Sequence, residues 1–158
     1  YENVKVGESL SLEGVRGRMI DLTVELQNAD GIMDGSRNSG NPNQEALDVY
    51  NEFRIELARN EEYTTVFTYD RKRQILEIDR TWSGMQRDVI CTRKLQITDD
   101  RQNLKLRFIL DRSSIELFIN DGSKTATTVI PTPVEADEIL FHSDGNAVIR
   151  VEKYDIVL

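Results

Sequence analysis

The sequence predicts an all-β fold, an antiparallel two-sheet β-sandwich, and three observations predict it. Apolar residues recur at every second position in segment after segment, the spacing that buries one strand face and wets the other. The segments are short and are punctuated by Gly, Asn, Asp and Ser, which is how roughly ten or eleven sandwich strands read. The connections are also too short for parallel crossovers, so neighbours pair antiparallel.

The elements follow in order. Ile20, Leu22, Val24 and Leu26 alternate with Asp21, Thr23 and Glu25, a half-buried strand. Asn28 to Asn43 is rich in Gly, Asn, Asp and Ser and reads as a long surface loop within one domain, residues 1–158. Between Gln44 and Asn60, Leu47, Tyr50, Arg54 and Leu57 approach helical spacing. Leu47, Val49, Phe53, Ile55 and Leu57 fit alternation better, with only Asn51 out of place, so a strand is expected. Tyr63, Thr65, Phe67 and Tyr69 form the next strand, and Asp70-Arg71-Lys72-Arg73 turns it back through Leu76 and Ile78. A strand near 88–97 carries Val89, Cys91, Leu95 and Ile97. The next alternates Leu104, Leu106, Phe108 and Leu110 with Lys105 and Arg107. After Asp111-Arg112-Ser113, the residues Ile115, Leu117 and Ile119 face one way and Ser114, Glu116 and Phe118 the other. Asn120-Asp121-Gly122 then reaches positive φ cheaply, as a tight hairpin requires. Strands near 125–130, 137–143 and 147–157 complete the set. The apolar register slips between Val151 and Tyr154, which predicts a β-bulge near Glu152-Lys153.

Composition narrows the function. Hydrophobic residues at 39% and charged residues at 30% describe a globular chain. No apolar run approaches the ~20 residues of a membrane span. A net charge of −8 makes nucleic acid and membrane surfaces poor partners. Cys91 is the only cysteine, so no internal disulfide is expected, and its place in an alternating pattern predicts a buried thiol. A cytoplasmic location follows from that cysteine usage, with secretion left open. The chain starts without Met and reads as a piece of a longer protein.

Candidate chemistry is sparse. Asp30, Asp34, Ser36 and Asn38 offer calcium-type oxygens, but Asp34 is followed at once by Gly35, out of register for a calcium loop, and turn formation explains them better. His142, the only histidine, cannot build a zinc site alone. Ser143 and Asp144 beside it point to alternate faces, so a triad is not expected and a wet-face position at the strand end is. With 28 acidic residues, a glycosidase-like carboxylate pair carries no information. Asp111, Arg112, Ser114 and Glu116 are candidates for architecture, through an Arg112–Glu116 or Asp111–Arg112 ion pair. Trp82, just past a strand, either plugs one end of the core or stacks on a sugar. No catalytic residue, metal ligand or cofactor site is assigned.

The Asp111–Gly122 segment resembles the Asp-Arg-Ser-Ser-x-Glu-x-Phe-x-Asn-Asp-Gly motif of glycoside hydrolase family 32, the invertases, sucrose-6-phosphate hydrolases, levanases and inulinases. Asn103–Leu110 is similar to the strand leading into that motif. Tyr69-Asp70, Leu76–Thr81 and Ser83-Gly84 resemble the upstream hairpin. Phe141, Ser143–Asn146 and Val148–Leu158 resemble the module's end. The likeness is specific over about 63–158 and rests on Phe53–Leu57 before that. It implies a C-terminal β-sandwich, a concanavalin-like jelly roll, and not the five-bladed propeller that cleaves the sugar bond. The family's catalytic motifs are absent: Asn120-Asp121 precedes Gly122 where Trp-x-Asn-Asp-Pro needs Pro, Arg87-Asp88 precedes Val89 where Arg-Asp-Pro needs Pro, and Ile90, not Glu, precedes Cys91. The resemblance therefore implies an inactive accessory module of a retaining β-fructofuranosidase, partnered by its own N-terminal propeller, with homo-oligomerisation open and with Asp111, Arg112, Ser114 and Glu116 fixing either the strand geometry or the contact between the two domains. The rival readings are a lectin-like carbohydrate-binding module and, last, a free-standing hydrolase.

Overall fold

The computed structural model describes residues 1–27, 49–86, 89–98 and 103–158. The predicted loop at 28–43, its calcium-type oxygens, the start of the 44–60 segment and the Arg87-Asp88 pair lie outside the described residues.

Among the described residues eleven strands form two antiparallel sheets. The six-stranded sheet uses β1 (Val4–Val6), β2 (Ile20–Leu26), β7 (Leu104–Leu110), β8 (Ser114–Ile119), β9 (Lys124–Val129) and β11 (Ala147–Asp155), in the order β1-β11-β2-β7-β8-β9. The five-stranded sheet uses β3 (Glu52–Arg59), β4 (Thr65–Asp70), β5 (Ile75–Asp79), β6 (Thr92–Gln96) and β10 (Glu138–Ser143), in the order β10-β3-β4-β5-β6. The predicted sandwich is therefore present, and the 44–60 segment is a strand from Glu52 onward. β11, the latest strand in chain order, is inserted between β1 and β2.

Alternation decides which side chains meet. Leu22 and Val24 of β2, Leu106 and Phe108 of β7, and Ile55 and Leu57 of β3 all point inward and are fully buried. Phe67 from one sheet meets Phe108 from the other edge-on, with centroids 4.9 Å apart at 72°, so an aromatic pair joins the two sheets at the centre. The turn after β8 runs through Asn120, Asp121 and Gly122, all at positive φ (48°, 60° and 95°), as their residue types predict.

The predicted bulge is elsewhere. β11 pairs with β2 in unbroken register from Ile149–Leu26 to Asp155–Ile20. The apparent slip is Lys153, which takes the inward position after Val151. Its stem covers the sheet end near Gly17, and its amine turns out to Asp155 at 2.6 Å. The irregularity lies between β10 and β3, where Glu138 pairs with Arg59 but Leu140 with Glu56. The extra residue makes Leu57 and Ala58 consecutively buried, and Ala58 sits at φ 49°.

Candidate functional site

Asp111, Arg112 and Ser114 lie together at the β7–β8 turn. The Asp111 N–H donates to the Ser114 carbonyl at 2.9 Å, and the Asp111 carboxylate accepts from the Arg112 N–H at 2.6 Å. Neither expected ion pair forms among the described residues. The Asp111 carboxylate is turned to the main chain, Arg112 is exposed, and Glu116 lies across from Ile109 and Thr127 with no cation opposite it.

The turn is held by a residue the sequence reading passed over. Arg18 is only 6% exposed, and its guanidinium donates to four main-chain carbonyls: Pro133 at 2.5 Å, Arg112 at 2.7 Å, Thr132 at 3.1 Å and Ala136 at 3.3 Å. Burial pulls its pKa below the ordinary arginine value, while the charges of Asp137 and Glu135 pull the other way. Three of its acceptors belong to the strap Ile130–Ala136. Pro131 and Pro133 have no N–H to give a sheet ladder, so the carbonyls of this strap need outside donors. Those prolines were the available signal. The strap is tied further by Ile130 N–H to the Ser113 carbonyl (2.8 Å), the Thr132 hydroxyl to the Ser83 carbonyl (2.7 Å) and Arg80 to the Val129 carbonyl (2.8 Å).

The strap runs between the motif turn and the Trp82 connection, bonded to Ser113 on one side and to Ser83 on the other. Trp82 is 69% exposed at the β5–β6 connection, so it does not plug the core. It borders a hollow with Tyr63, Met85, Val89 and Cys91, beside exposed Ile90. Cys91 departs from the buried position that its pattern predicts. It is half-buried and not in the core, because residues 89–91 run outside the sandwich before β6, an edge strand whose residues are mostly exposed.

His142 is on the outer face of the five-stranded sheet, yet its side chain is only 15% exposed. The stretch Gly7–Leu10 runs along β10 and covers it, so the expected wet position is closed over. Nδ1 lies 2.7 Å from the Glu8 carbonyl, which can only accept, and Nε2 lies 2.8 Å from the Glu56 carboxylate. The Ser143 hydroxyl donates to the Gly145 carbonyl, and the Asp144 carboxylate accepts from the Asn51 and Glu52 N–H groups, so no triad forms. Among the described residues no group of three or more His, Cys, Asp or Glu is placed to hold a metal ion.

The outer face of the six-stranded sheet is charged and carries a hollow of about 410 Å³. Arg107 grips Asp21 with two bonds of 2.9 and 2.6 Å, and Lys105 reaches Asp121 at 2.8 Å. Arg150 contacts Glu2 at 2.7 Å and also pairs with Glu152. Phe118 lies directly across from Arg107, and Tyr154 directly across from Asp21.

Comparison with known proteins agrees with this architecture. The sequence model of the family described as "Glycosyl hydrolases family 32 C terminal" matches residues 2–157. A probable sucrose-6-phosphate hydrolase of Vibrio cholerae serotype O1 is 36% identical over 89 residues, covering 56% of this chain and 16% of that protein. The sucrose-6-phosphate hydrolase of Staphylococcus xylosus is 32% identical over 115 residues, covering 71% and 22%. Among solved structures, the exo-inulinase of Aspergillus awamori superposes with a TM-score of 0.71 at 21% identity, covering 99% of this chain and 28% of that one. The chain thus spans less than a third of the length of each.

Proposed function

The chain belongs to the C-terminal family of glycoside hydrolase family 32, and from that premise we propose that it is the accessory module of a β-fructofuranosidase acting on sucrose or sucrose 6-phosphate. Its role is to stabilise the N-terminal catalytic propeller by packing against it. The observation that carries this reading is the family match over residues 2–157 in a chain that corresponds to only 16% and 22% of two sucrose-6-phosphate hydrolase relatives. The described residues add support, because the Asp111 carboxylate and the Arg112 carbonyl are engaged in the turn and its tie to Arg18.

Asp111, Arg112 and Ser114 act here as architecture, shaping the turn that Arg18 and the strap lock in place. The exposed apolar group of Trp82, Val89 and Ile90 is the surface offered to the rest of the parent chain, whose length far exceeds this module.

The purified chain is expected to fold and to release no fructose from sucrose or sucrose 6-phosphate; turnover by it overturns the accessory reading. In the full-length parent, Trp82→Ser with Ile90→Ser is expected to shorten the half-life of activity at elevated temperature. An unchanged half-life refutes the contact.

A further inference from the structure

We propose that the hollow on the outer face of the six-stranded sheet binds an uncharged oligosaccharide. Phe118 and Tyr154 occupy wet-face positions beside the ion pairs, and neither reaches the core. Tyr154 is 64% exposed. Such rings gain by stacking on the C–H face of a sugar, which removes apolar surface without stripping the hydroxyls of partners.

Arg107 engages Asp21 through Nε and one Nη, so a guanidinium and a carboxylate stand side by side on this face. A vicinal diol matches this arrangement, one hydroxyl accepting from the guanidinium while its neighbour donates to the adjoining carboxylate. The clamp is rigid because Arg107 is held at two points, so little side-chain entropy is lost on binding.

Phe118 on β8 and Tyr154 on β11 are three strand spacings apart in the order β11-β2-β7-β8 and two residues offset along the strands, about 16 Å in all. That exceeds one monosaccharide and suits a short chain lying across the strands. The hollow's four carboxylates outnumber its three cations, and every cation already holds a carboxylate, so a phosphorylated or acidic sugar is repelled.

This reading goes beyond the accessory role and does not depend on which fructoside the parent cleaves. Isotope-labelled chain titrated with fructo-oligosaccharides, malto-oligosaccharides and sucrose 6-phosphate tests it by chemical-shift perturbation and calorimetry. Saturable shifts centred on β2, β7 and β11 with a neutral oligosaccharide are expected. Tyr154→Ala, Phe118→Ala and Arg107→Lys should each weaken binding by roughly tenfold while circular dichroism shows the fold retained, and Trp82→Ala should leave affinity unchanged. Binding of malto-oligosaccharides alone supports the site and counts against a fructofuranosidase parent. The proposal is overturned if no neutral oligosaccharide saturates, if sucrose 6-phosphate binds more tightly, or if Trp82→Ala abolishes binding while Tyr154→Ala does not.

Discussion

Replacing Arg18 with Met keeps the apolar stem and removes the guanidinium that joins the β7–β8 turn to the Ile130–Ala136 strap. Four carbonyls lose a donor. Those of Arg112 and Pro133 are partly open and can take water, whereas the bonds to Thr132 and Ala136 are buried. An unsatisfied buried acceptor costs about 1–3 kcal/mol, so those two carbonyls lose about 2–6 kcal/mol together. Removing a desolvated cation returns part of that, and a net loss of about 3 kcal/mol remains. In a domain of this size the melting temperature should fall by about 6–12 °C. Thermal unfolding followed by circular dichroism at neutral pH measures it. Arg18→Lys should not restore the melt, because one ammonium cannot reach carbonyls spread around a planar fork. Arg16→Ala, which removes an exposed partner of Asp137, should leave it unmoved. A drop smaller than about 2 °C for Arg18→Met would refute the view that these carbonyls depend on it.

Phe108→Ala empties the centre of the aromatic contact between the sheets and should cost about 3–5 kcal/mol by urea unfolding. A cost below about 1.5 kcal/mol would show that the two sheets close over the gap. Tyr50 and Tyr69 have phenol pKa values raised mainly by burial. Their neutral forms therefore stabilise the fold fully below the unfolded value of about 10, and that contribution is lost as pH climbs beyond it. Stability measured between about pH 9 and 11 should fall by up to ~1.4 kcal/mol per pH unit for each such tyrosine, and Tyr50→Phe should flatten the fall. Equal alkaline slopes in the two proteins would contradict this. Gly17→Ala should destabilise by about 2 kcal/mol in the same assay, since φ is 140° there and a Cβ would lie 2.6 Å from the Ile20 methyl. A neutral effect would mean that Ile20 moves aside freely.

The sandwich was legible because alternation is a local signal: each of β2, β4, β7 and β8 declares its inward face without reference to its partner. Reading failed where the chain answers to distant neighbours. Lys153 mimics a bulge because its stem substitutes for an apolar residue, and periodicity scores letters and not methylenes. His142 was placed in water because the covering stretch Gly7–Leu10 comes from the far end of the sequence. Cys91 was placed in the core because residues 88–97 alternate on paper, although only Leu95 and Ile97 turn toward it. Arg18 was invisible for a related reason: its partners are carbonyls, which every residue has. The Asp111–Gly122 motif identified the family, whereas the charged hollow with its two outward aromatics needed β2, β7, β8 and β11 brought side by side.

The insertion of β11 between β1 and β2 sets the order in which this protein can be made. While the ribosome is still translating, β1 and β2 each present a bare edge that nothing yet synthesised can fill. The six-stranded sheet closes only after residue 155 has left the exit tunnel, through pairings such as Val4 with Ile149 that span almost the whole chain. Closure of that sheet therefore waits for β11 and is slow, with aggregation competing for the open edges until it arrives.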